Sequence, residues 1–336
     1  MKAYQIEHFG LDGLRAVDLP TPTPGPGQVL VRIKAVSLNY LDLLVIRGEF
    51  NPNLPLPHTP VSDGAGLVEA VGPGVTAFRA GDEVVTTFIR PWRQGPPAAE
   101  LLAYPERAGL GVPGVLAEYV LLAEHEVVKK PANLSLHEAA TLTIAALTAW
   151  NGLKYCQLQP GQTVLLYGTG GVALFGLALA RAQGLRVVLV GTGDANLARA
   201  RELRAGLTYD YQTQPDWPAR LLAATDGRGV DGVLESVGGN NVQNSLAVIR
   251  VRGRIVFIGL TQGTEARLST ASLMHKQATI EGMEVGSRAD FEEMNRFIEA
   301  NDVRPVLDRV LPAASIGEAL TYLSTGAHVG KIVLEL

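Results

Sequence analysis

The sequence predicts two domains, an all-β domain followed by an α/β domain built on a doubly wound parallel sheet. The chain has 336 residues, which is too long for one ordinary core. Its amino-terminal part contains short β-rich runs between Gly and Pro clusters, a pattern typical of all-β domains. From about residue 124, near-continuously apolar runs alternate with amphipathic helices, which indicates a parallel sheet buried on both faces.

The β domain is predicted over residues 1–123. Its strands are predicted from three runs, QVLVRIKAVSL at 28–38, GLVEAV at 66–71 and DEVVTTF at 82–88. The Gly and Pro clusters between them predict turns, because Pro presets φ and Gly tolerates positive φ. Residues 90–114 are rich in Pro, Gly and Ala and show no period, so we expect a long surface excursion there.

The α/β domain is predicted over residues 124–286. Its buried strands are predicted from four runs, TVLLY at 163–167, RVVLV at 186–190, GVLES at 232–236 and GRIVFIG at 253–259. Ahead of them, Ser135 and Glu138 form an S-x-x-E capping box before one long apolar helix, EAATLTIAALTAW. Gly184 and Gly206 are placed to end helices, since a Gly commonly takes the left-handed conformation there.

Composition and charge exclude several classes of function. The net charge is −4 and no basic run is longer than Lys129-Lys130, so nucleic acid is not an expected partner. No apolar segment approaches the roughly 20 residues of a membrane span, and MKAYQIEHFG lacks the apolar core of a signal peptide, so we expect a cytoplasmic protein without membrane contact. The single cysteine, Cys156, excludes an intrachain disulfide and a multi-thiolate metal site.

A glycine-rich loop carries the clearest functional signal. Gly168-Thr169-Gly170-Gly171-Val172-Ala173 follows TVLLY directly and opens the helix LFGLALARAQG, which is the setting of a dinucleotide fingerprint. Gly168 permits the tight turn, Gly170 lets the backbone approach a pyrophosphate, and Ala173 keeps the helix close to its strand. The phosphates then lie at the amino end of the helix, beside Gly171 and Val172. The alternative is a Gly-rich turn that binds no ligand.

The end of the second strand bears on the choice between NAD and NADP. There the sequence is Gly191-Thr192-Gly193, without the carboxylate that accepts hydrogen bonds from the ribose 2′-hydroxyl of NAD. A 2′-phosphate would meet no repulsion and could take Thr192 and backbone N–H groups as donors, so NADP(H) is predicted. Asp194 is close enough to keep NAD(H) possible, although we expect it to cap the next helix.

Six segments together resemble the medium-chain dehydrogenase/reductase superfamily along the whole chain. They are SLNYLDLLVIRG (37–48), VSDGAGLVEAVGPGVTAFRAGDEV (61–84), GVLAEYV (114–120), AALTAW (145–150), GTGGVALFGLALA (168–180) and GAHVGKIVLEL (326–336). The resemblance implies a GroES-like β domain over 1–123, a Rossmann domain over 124–286, and a segment, 287–336, that returns to the β domain. The motifs look most like a zinc-free branch that includes quinone oxidoreductases and alcohol dehydrogenase-like proteins.

The resemblance also implies that the zinc site of related alcohol dehydrogenases is lost. The positions that match its ligands are Asn39, Ser62 and Ile144, and none can replace a thiolate or imidazole. His58 lies near the first of them, but a lone His is expected to be a surface or hydrogen-bonded residue. Without a Lewis acid, reduction of a quinone or an activated enone is favoured over oxidation of a simple alcohol, and no metal is predicted.

Asn39 and Tyr40, in N-Y-x-D, fall where family members face the nicotinamide, so the resemblance implies a catalytic role for both. The Asn39 amide would hold substrate oxygen or the carboxamide, Tyr40 would donate a hydrogen bond or a proton, and Asp42 would anchor the loop. The alternative for Tyr40 is simple packing against neighbouring side chains.

Further cofactor contacts are implied by the same resemblance. Thr148 would lie beneath the nicotinamide ring, and Tyr211 would approach the 2′-phosphate. Lys331 would neutralise phosphate, with a solvated charge as its alternative. The remaining expected contacts are Ser236, Val237, Ile258 and Gly259 at the sheet edge, and Val285, Gly286 and Ser287 on the nicotinamide side.

The sequence therefore predicts an NADPH-dependent, zinc-free reductase of quinones or α,β-unsaturated carbonyls. Two alternatives stay open, a zinc-free alcohol or aldehyde oxidoreductase and a non-catalytic NADPH-binding redox sensor. A homodimer is expected by resemblance, with ATIEGMEV at 278–285 as an exposed sheet edge that pairs across a two-fold axis.

Overall fold

A computed structural model describes residues 1–102 and 106–336. The chain divides into two compact units, one formed by Met1–Leu147 with Gly286–Leu336 and the other by Thr148–Val285. Residues 124–147, which we expected in the α/β domain, belong to the first unit by this division. The physical reason is strand pairing, because Val127–Lys129 pairs with Glu83–Thr86 in the sheet of that unit.

The strands and helices are as follows in chain order. The strands are β1 (Lys2–Ile6), β2 (Leu14–Asp18), β3 (Gln28–Ser37), β4 (Asp63–Val71), β5 (Glu83–Thr86), β6 (Tyr119–Ala123), β7 (Val127–Lys129), β8 (Thr163–Tyr167), β9 (Arg186–Gly191), β10 (Leu207–Asp210), β11 (Val230–Glu235), β12 (Ile249–Phe257), β13 (Thr279–Gly282), β14 (Leu307–Pro312) and β15 (Lys331–Glu335). The α-helices are α1 (Tyr40–Ile46), α2 (Leu136–Ala139), α3 (Leu147–Cys156), α4 (Gly171–Ala182), α5 (Asp194–Glu202), α6 (Trp217–Ala224), α7 (Val242–Val248), α8 (Thr270–Lys276), α9 (Arg288–Ala300) and α10 (Ile316–Ser324).

The first unit is built on a mixed sheet in the order β14-β15-β3-β4-β5-β7, with β6 also paired to β3. The carboxy-terminal strand β15 enters this sheet antiparallel to β3. Its residues Ile332, Val333 and Leu334 are completely buried, which gives the last strand of the chain a place in the core of the first unit.

The second unit is built on a six-stranded, wholly parallel sheet in the order β10-β9-β8-β11-β12-β13. Every residue of β8 and of β11 is buried, which explains why these runs read as apolar rather than alternating. The chain moves outward to one side of β8 and then returns to the other side. The carboxyl ends of β8 and β11 therefore form a topological switch point, where open α/β sheets bind ligands. The predicted fold class is confirmed.

The long helix predicted after Ser135 is interrupted. The capping box is confirmed, since Ser135 accepts a hydrogen bond from the Glu138 backbone, but α2 ends at Ala139. A π-helical turn over Leu142–Ala146 precedes α3. The Thr143 hydroxyl donates to the Thr86 carbonyl at 2.9 Å, so a tertiary contact competes with regular helix at this point.

Two of three predicted helix ends differ from expectation. Gly184 follows α4 with φ 74°, as predicted. After α5, however, the left-handed residue is Arg204 with φ 66°, and Gly206 is not the cap. Gly193 takes the N-cap position of α5, so Asp194 is the first helical residue.

The expected surface excursion at 90–114 is only partly external. Ala108 and Leu110 are buried, and Arg107 forms a β-bridge with Ile89. A 3₁₀ turn covers Ala99–Leu102, and positions 103–105 of the predicted excursion lie outside the described residues. Within the two described ranges, no helix is long and apolar enough to cross a membrane.

Candidate functional site

The glycine turn after β8 has the geometry that a bound pyrophosphate requires. Gly168 has φ 79°, and its N–H donates to the Val190 carbonyl at 2.7 Å. A Cβ added at Gly168 would meet only the Gly170 nitrogen, at 4.0 Å, so the space above the turn is open. Gly170 is the N-cap of α4, and no side chain of the described residues caps this helix. Free N–H groups at the amino end of α4 then favour an anion.

The first residues of α4 divide between the open turn and the core. Gly171 and Val172 are half-buried, whereas Ala173 is buried with 4% of its surface exposed. One turn later, a Cβ on Gly176 would lie 3.1 Å from the Leu166 side chain on β8. Small residues therefore let α4 pack closely on the strand that precedes it, as the motif predicts.

The turn after β9 contacts a carboxylate that the sequence motif does not indicate. Gly191 is buried and Thr192 is half-buried. The Gly193 N–H donates to Asp210 Oδ2 at 3.2 Å. Hydrogen bonds from the backbone of Gln212, and then from Thr213 and Gly193, lower the pKa of Asp210. The parallel pairing of β9 with β10 thus brings a negative charge to this turn from the next strand, where a sequence window around β9 cannot show it.

Tyr211 lies beside the same turn. Its backbone N–H donates to the Gly191 carbonyl at 3.1 Å, and 45% of its surface is exposed. The structure thus brings the predicted residues Gly191, Thr192 and Tyr211 together.

Glu235, at the end of β11, organises the next loop and was missed by sequence reasoning. It is completely buried. The backbone N–H groups of Val237 and Gly238 donate to its Oε1 at 3.1 and 3.2 Å. The Asn241 amide donates to both carboxylate oxygens, and the Ser245 hydroxyl donates to Oε2. An acidic residue inside an otherwise apolar strand, GVLES, is the signal that would have found it, because a buried carboxylate needs several donors.

The ends of β11 and β12 lie against each other. The N–H groups of Ile258 and Gly259 donate to the Glu235 carbonyl at 2.9 and 3.1 Å. A Cβ on Gly259 would lie 1.8 Å from the Ser236 carbonyl oxygen, so this position requires glycine. The structure therefore brings Ser236, Val237, Ile258 and Gly259 together at one end of the parallel sheet.

Thr148 and Val285 are also part of the second unit and are buried, with 3% and 7% of their surfaces exposed. The Val285 carbonyl accepts a hydrogen bond from the Asn151 amide at 2.8 Å.

Gly286 and Ser287 begin the returning segment of the first unit. The Ser287 hydroxyl donates to Asp290 Oδ2 at 2.6 Å and accepts from the Asp290 backbone, which forms the capping box of α9. The Ser287 side chain is therefore committed to a helix cap, and its backbone N–H donates to the same Asp290 carboxylate at 3.1 Å.

Asn39 and Asp42 form the amino end of α1 in the first unit. Asn39 is the N-cap, and its backbone N–H donates to Asp42 Oδ2 at 2.8 Å. Asp42 is 1% exposed, and its predicted role as the anchor of this loop is confirmed. Tyr40 is the first residue of α1 and is 43% exposed.

The prediction that Lys331 neutralises a cofactor phosphate is wrong. Lys331 is 4% exposed, so the alternative of a solvated charge is wrong as well. Its Nζ donates to the Leu38 carbonyl at 2.7 Å and to Asn39 Oδ1 at 2.6 Å, and lies 3.5 Å from Asp63 Oδ2. The ammonium is thus engaged by a buried cluster within the first unit.

Burial dominates the electrostatics of this cluster. Burial, and then repulsion from Asp63, raises the pKa of Asp42 to about 7. Burial also raises the pKa of Asp63, an effect that Lys331 and the neighbouring Asn39 side chain oppose. For Lys331, burial lowers the pKa, and the two carboxylates oppose that shift. The cluster is therefore two buried acids that share one buried cation.

Comparison with known proteins identifies the family. Residues 25–132 match the alcohol dehydrogenase GroES-like domain, and residues 171–300 match the zinc-binding dehydrogenase family. A zinc-type alcohol dehydrogenase-like protein of Schizosaccharomyces pombe is 39% identical over 338 residues, which cover 98% of this chain and 97% of that protein. The chain belongs to the medium-chain dehydrogenase/reductase family.

Other members of this family extend the comparison. A quinone oxidoreductase of Lama guanicoe is 29% identical over 351 residues, covering 100% of this chain and 98% of that protein. The crystal structure of an NAD-dependent alcohol dehydrogenase has a TM-score of 0.90 at 34% identity, with 100% of each chain covered. The protein is therefore an oxidoreductase of this family, with a GroES-like unit and a Rossmann unit.

The resemblance matches Asn39, Ser62 and Ile144 to zinc-ligand positions, and their side chains carry no thiolate or imidazole. Asn39 Oδ1 is engaged by Lys331, the Ser62 hydroxyl donates to the Ala108 carbonyl at 2.8 Å, and the Ile144 side chain has no donor atom. Nor do the described residues contain any group of three or more His, Cys, Asp or Glu side chains that could hold a metal ion. His58 is buried rather than on the surface, and its backbone pairs with that of Ile6.

Proposed function

We propose that this oxidoreductase uses NADPH to reduce a quinone or an α,β-unsaturated carbonyl without zinc. The observation that carries the proposal is the chemistry at the three zinc-ligand positions, where Asn39, Ser62 and Ile144 offer no thiolate or imidazole. A substrate whose own conjugation delocalises the developing charge needs no Lewis acid, whereas a simple alcohol does.

When bound, NADPH would supply a hydride, two electrons with one proton, to the β-carbon of an enone or to a quinone, and would itself be oxidised to NADP⁺. The protein must stabilise the negative charge that appears on the substrate oxygen. One proton from water then completes the saturated carbonyl or the hydroquinone, so atoms and electrons balance. Hydrogen-bond donors aimed at that oxygen would supply the stabilisation.

Asn39 and Tyr40 are the donors that we assign to this oxygen. The Asn39 Nδ2 group is buried and makes no hydrogen bond of normal geometry to the described residues, while its Oδ1 is held by Lys331. The same amide lowers the pKa of the neighbouring Asp63, so one of its two N–H groups faces that carboxylate and the other is left for substrate. A buried, unpaired N–H donor is costly in the free protein and is satisfied when a substrate oxygen accepts it. The Tyr40 hydroxyl, on a partly exposed side chain, is the second donor.

For the cofactor, we propose that the turn over Gly168–Ala173 holds the pyrophosphate and that Thr192 and Tyr211 contact the 2′-phosphate. The open space above Gly168 and the free amino end of α4 support the first assignment. The partly exposed Tyr211 beside the Gly191 carbonyl supports the second. Asp210 places a carboxylate on the same turn, which limits the preference for NADPH, so we expect NADH to be used with lower kcat/KM.

The test is NADPH oxidation, followed by absorbance, with a panel of quinones, enals and enones. We expect turnover with at least one class, unaffected by chelators, and a loss of about tenfold to a thousandfold in kcat for Asn39→Ala. Asn133→Ala is the matched control, because Asn133 is an Asn of the same unit whose amide contacts Asp302. No oxidation across the panel, or stoichiometric zinc in chelator-washed protein, would overturn the proposal.

An alternative is a zinc-free alcohol or aldehyde oxidoreductase. The names of the Schizosaccharomyces pombe relative and of the NAD-dependent alcohol dehydrogenase favour it. Reduction of simple aldehydes that is insensitive to chelators, with no turnover of quinones or enones, would select this function. Tight NADPH binding without turnover of any substrate would select a redox sensor instead.

A further inference from the structure

We propose that the Lys331 ammonium is the resident cation of the Asn39 site, and that it is the positioning residue that directs the Asn39 amide toward substrate. Its role as a buried cation stands on the geometry of the first unit alone. Its effect on catalysis rests on the proposed function of Asn39.

Lys331 has the surroundings of a bound cation. Its Nζ lies 2.7 Å from the Leu38 carbonyl oxygen, 2.6 Å from Asn39 Oδ1 and 3.5 Å from Asp63 Oδ2. All three contacts are oxygen atoms, two neutral and one anionic. An ammonium group offers three donors and no acceptor, so oxygen atoms alone can satisfy it.

The cluster also contains the positions that match zinc ligands in relatives. Asn39 contacts Lys331 directly, and Ser62 precedes the Asp63 carboxylate. The backbone of Ile144, in the π-helical turn, stabilises the same carboxylate and lowers its pKa. The Lys331–Asp63 pair is therefore contacted by the Asn39 side chain and the Ile144 backbone, and Ser62 is the residue next to Asp63 in the chain.

Charge balance explains why a cation is needed here. Asp42 and Asp63 are 1% and 0% exposed, and neither can be solvated by water as it would be at the surface. A buried carboxylate without a cation is strongly destabilising. Lys331 supplies that charge from β15, through a side chain that is itself 4% exposed.

Lys331 also determines which way the Asn39 amide faces. Because the ammonium has no acceptor, Asn39 must present Oδ1 to it, and Nδ2 must point away from it. The Asn39 side chain lowers the pKa of Asp63, so Nδ2 lies on the side of that carboxylate, with its second N–H not used there. The Asn39 backbone is held at the same time by Asp42, through the capping box of α1. The amide nitrogen is therefore oriented before any substrate binds, which is the preorganisation that charge stabilisation requires.

The kinetic test compares two neutralised lysine–carboxylate pairs. In Lys331→Met/Asp63→Asn one buried cation and one buried carboxylate are removed together, and the remaining acid, Asp42, already has a pKa raised to about 7 and can stay neutral. We therefore expect the protein to fold but kcat to fall about tenfold to a hundredfold. That loss should not add to the loss in Asn39→Ala, since both act through the amide. The control is Lys130→Met/Glu83→Gln, which removes a pair 3.0 Å apart in the same unit, and its kcat should stay within about twofold of the wild type. Wild-type kcat in the first double variant, or full additivity with Asn39→Ala, would overturn the proposal.

A second measurement is independent of activity. In protein labelled with ¹⁵N-asparagine, the Asn39 side-chain signal is assigned by its loss in Asn39→Ala. We expect it to shift in Lys331→Met/Asp63→Asn and in Lys331→Met, and to stay unchanged in the Lys130→Met/Glu83→Gln control. An Asn39 signal unchanged by both Lys331 variants would overturn the positioning role. If the wild type reduces no substrate, the proposed function fails, and this signal alone decides the inference.

Discussion

At the scale of one residue, Asp42 shows how the position that lets a side chain cap a helix also changes its pKa. Its carboxylate caps α1 through the Asn39 N–H, yet it is 1% exposed and lies in the same cluster as Asp63. Capping favours the charged form, whereas burial and the second carboxylate favour the neutral form. Burial prevails, and the pKa of Asp42 rises to about 7.

This raised pKa predicts a pH dependence of stability. In the unfolded chain an Asp titrates near about 3.9, so between about pH 4 and pH 7 the folded protein binds the extra proton. Stability contributed by Asp42 is therefore fully present at low pH and is lost as pH rises through about 7. In Asp42→Asn, which keeps an acceptor for the cap, we expect this slope to flatten and Tm at pH 8 to rise relative to the wild type. Differential scanning calorimetry from pH 5 to pH 8 measures it, and an unchanged slope would contradict the assignment.

At the scale of an element, the turn between β8 and α4 is the one to which we assign the cofactor pyrophosphate. Gly168 has φ 79° and open space beside it. In Gly168→Ala we expect strain of about 1 kcal/mol from the left-handed backbone. We also expect NADPH affinity to fall by about tenfold or more, because the new methyl group occupies the space for phosphate.

Gly184 provides the matched control for this substitution. It lies in the same unit, at the other end of α4, and has φ 74°. Gly184→Ala should lose similar stability without a change in NADPH affinity, as measured by isothermal titration calorimetry. Equal losses of affinity in the two variants would mean that Gly168 matters only for folding.

At the scale of the whole molecule, the edge of the parallel sheet bears on whether two chains associate. β13 is an edge strand of the parallel sheet, and it lies within the segment from which we predicted pairing across a two-fold axis. The neighbouring helix α8 exposes Met274 at 76%. An unpaired edge beside exposed apolar side chains favours association, so the homodimer stays a proposal with a structural basis in the second unit.

We expect sedimentation equilibrium to show a dimer at micromolar concentration and Met274→Glu to weaken it by about tenfold or more. The control is Leu207→Glu, since Leu207 is 39% exposed on β10, at the opposite edge of the same sheet. A wild-type monomer, or equal weakening by both substitutions, would contradict pairing through β13.

Local sequence patterns were sufficient to predict an element wherever the interactions that form it involve only a few consecutive residues. TVLLY predicted β8 to the residue because every position of a strand buried on both faces must be apolar. The Gly-rich motif predicted the turn before α4, and within N-Y-x-D Asp42 was predicted to anchor its loop, as it does by accepting from the Asn39 N–H. In each case the residues that carry the signal lie within a few positions of one another, so the local sequence is enough to predict the element.

The burial and hydrogen bonding of residues whose partners are distant in the chain could be seen only in the folded structure. Lys331 is 292 positions from Asn39, and its burial depends on β15 entering the sheet beside β3. Asp210 reaches Gly193 because β10 pairs with β9. The Thr143 hydroxyl donates to the Thr86 carbonyl on β5 within the π-helical turn that interrupts the predicted helix. Sequence patterns were enough to predict the two-unit class and the glycine turn before α4, and to name the residue types at positions 39, 62 and 144. The strand pairing of residues far apart in the chain determines which charges are buried together. The reason is that the desolvation of a charge depends on every group packed around it, and most of those groups are not its neighbours in sequence.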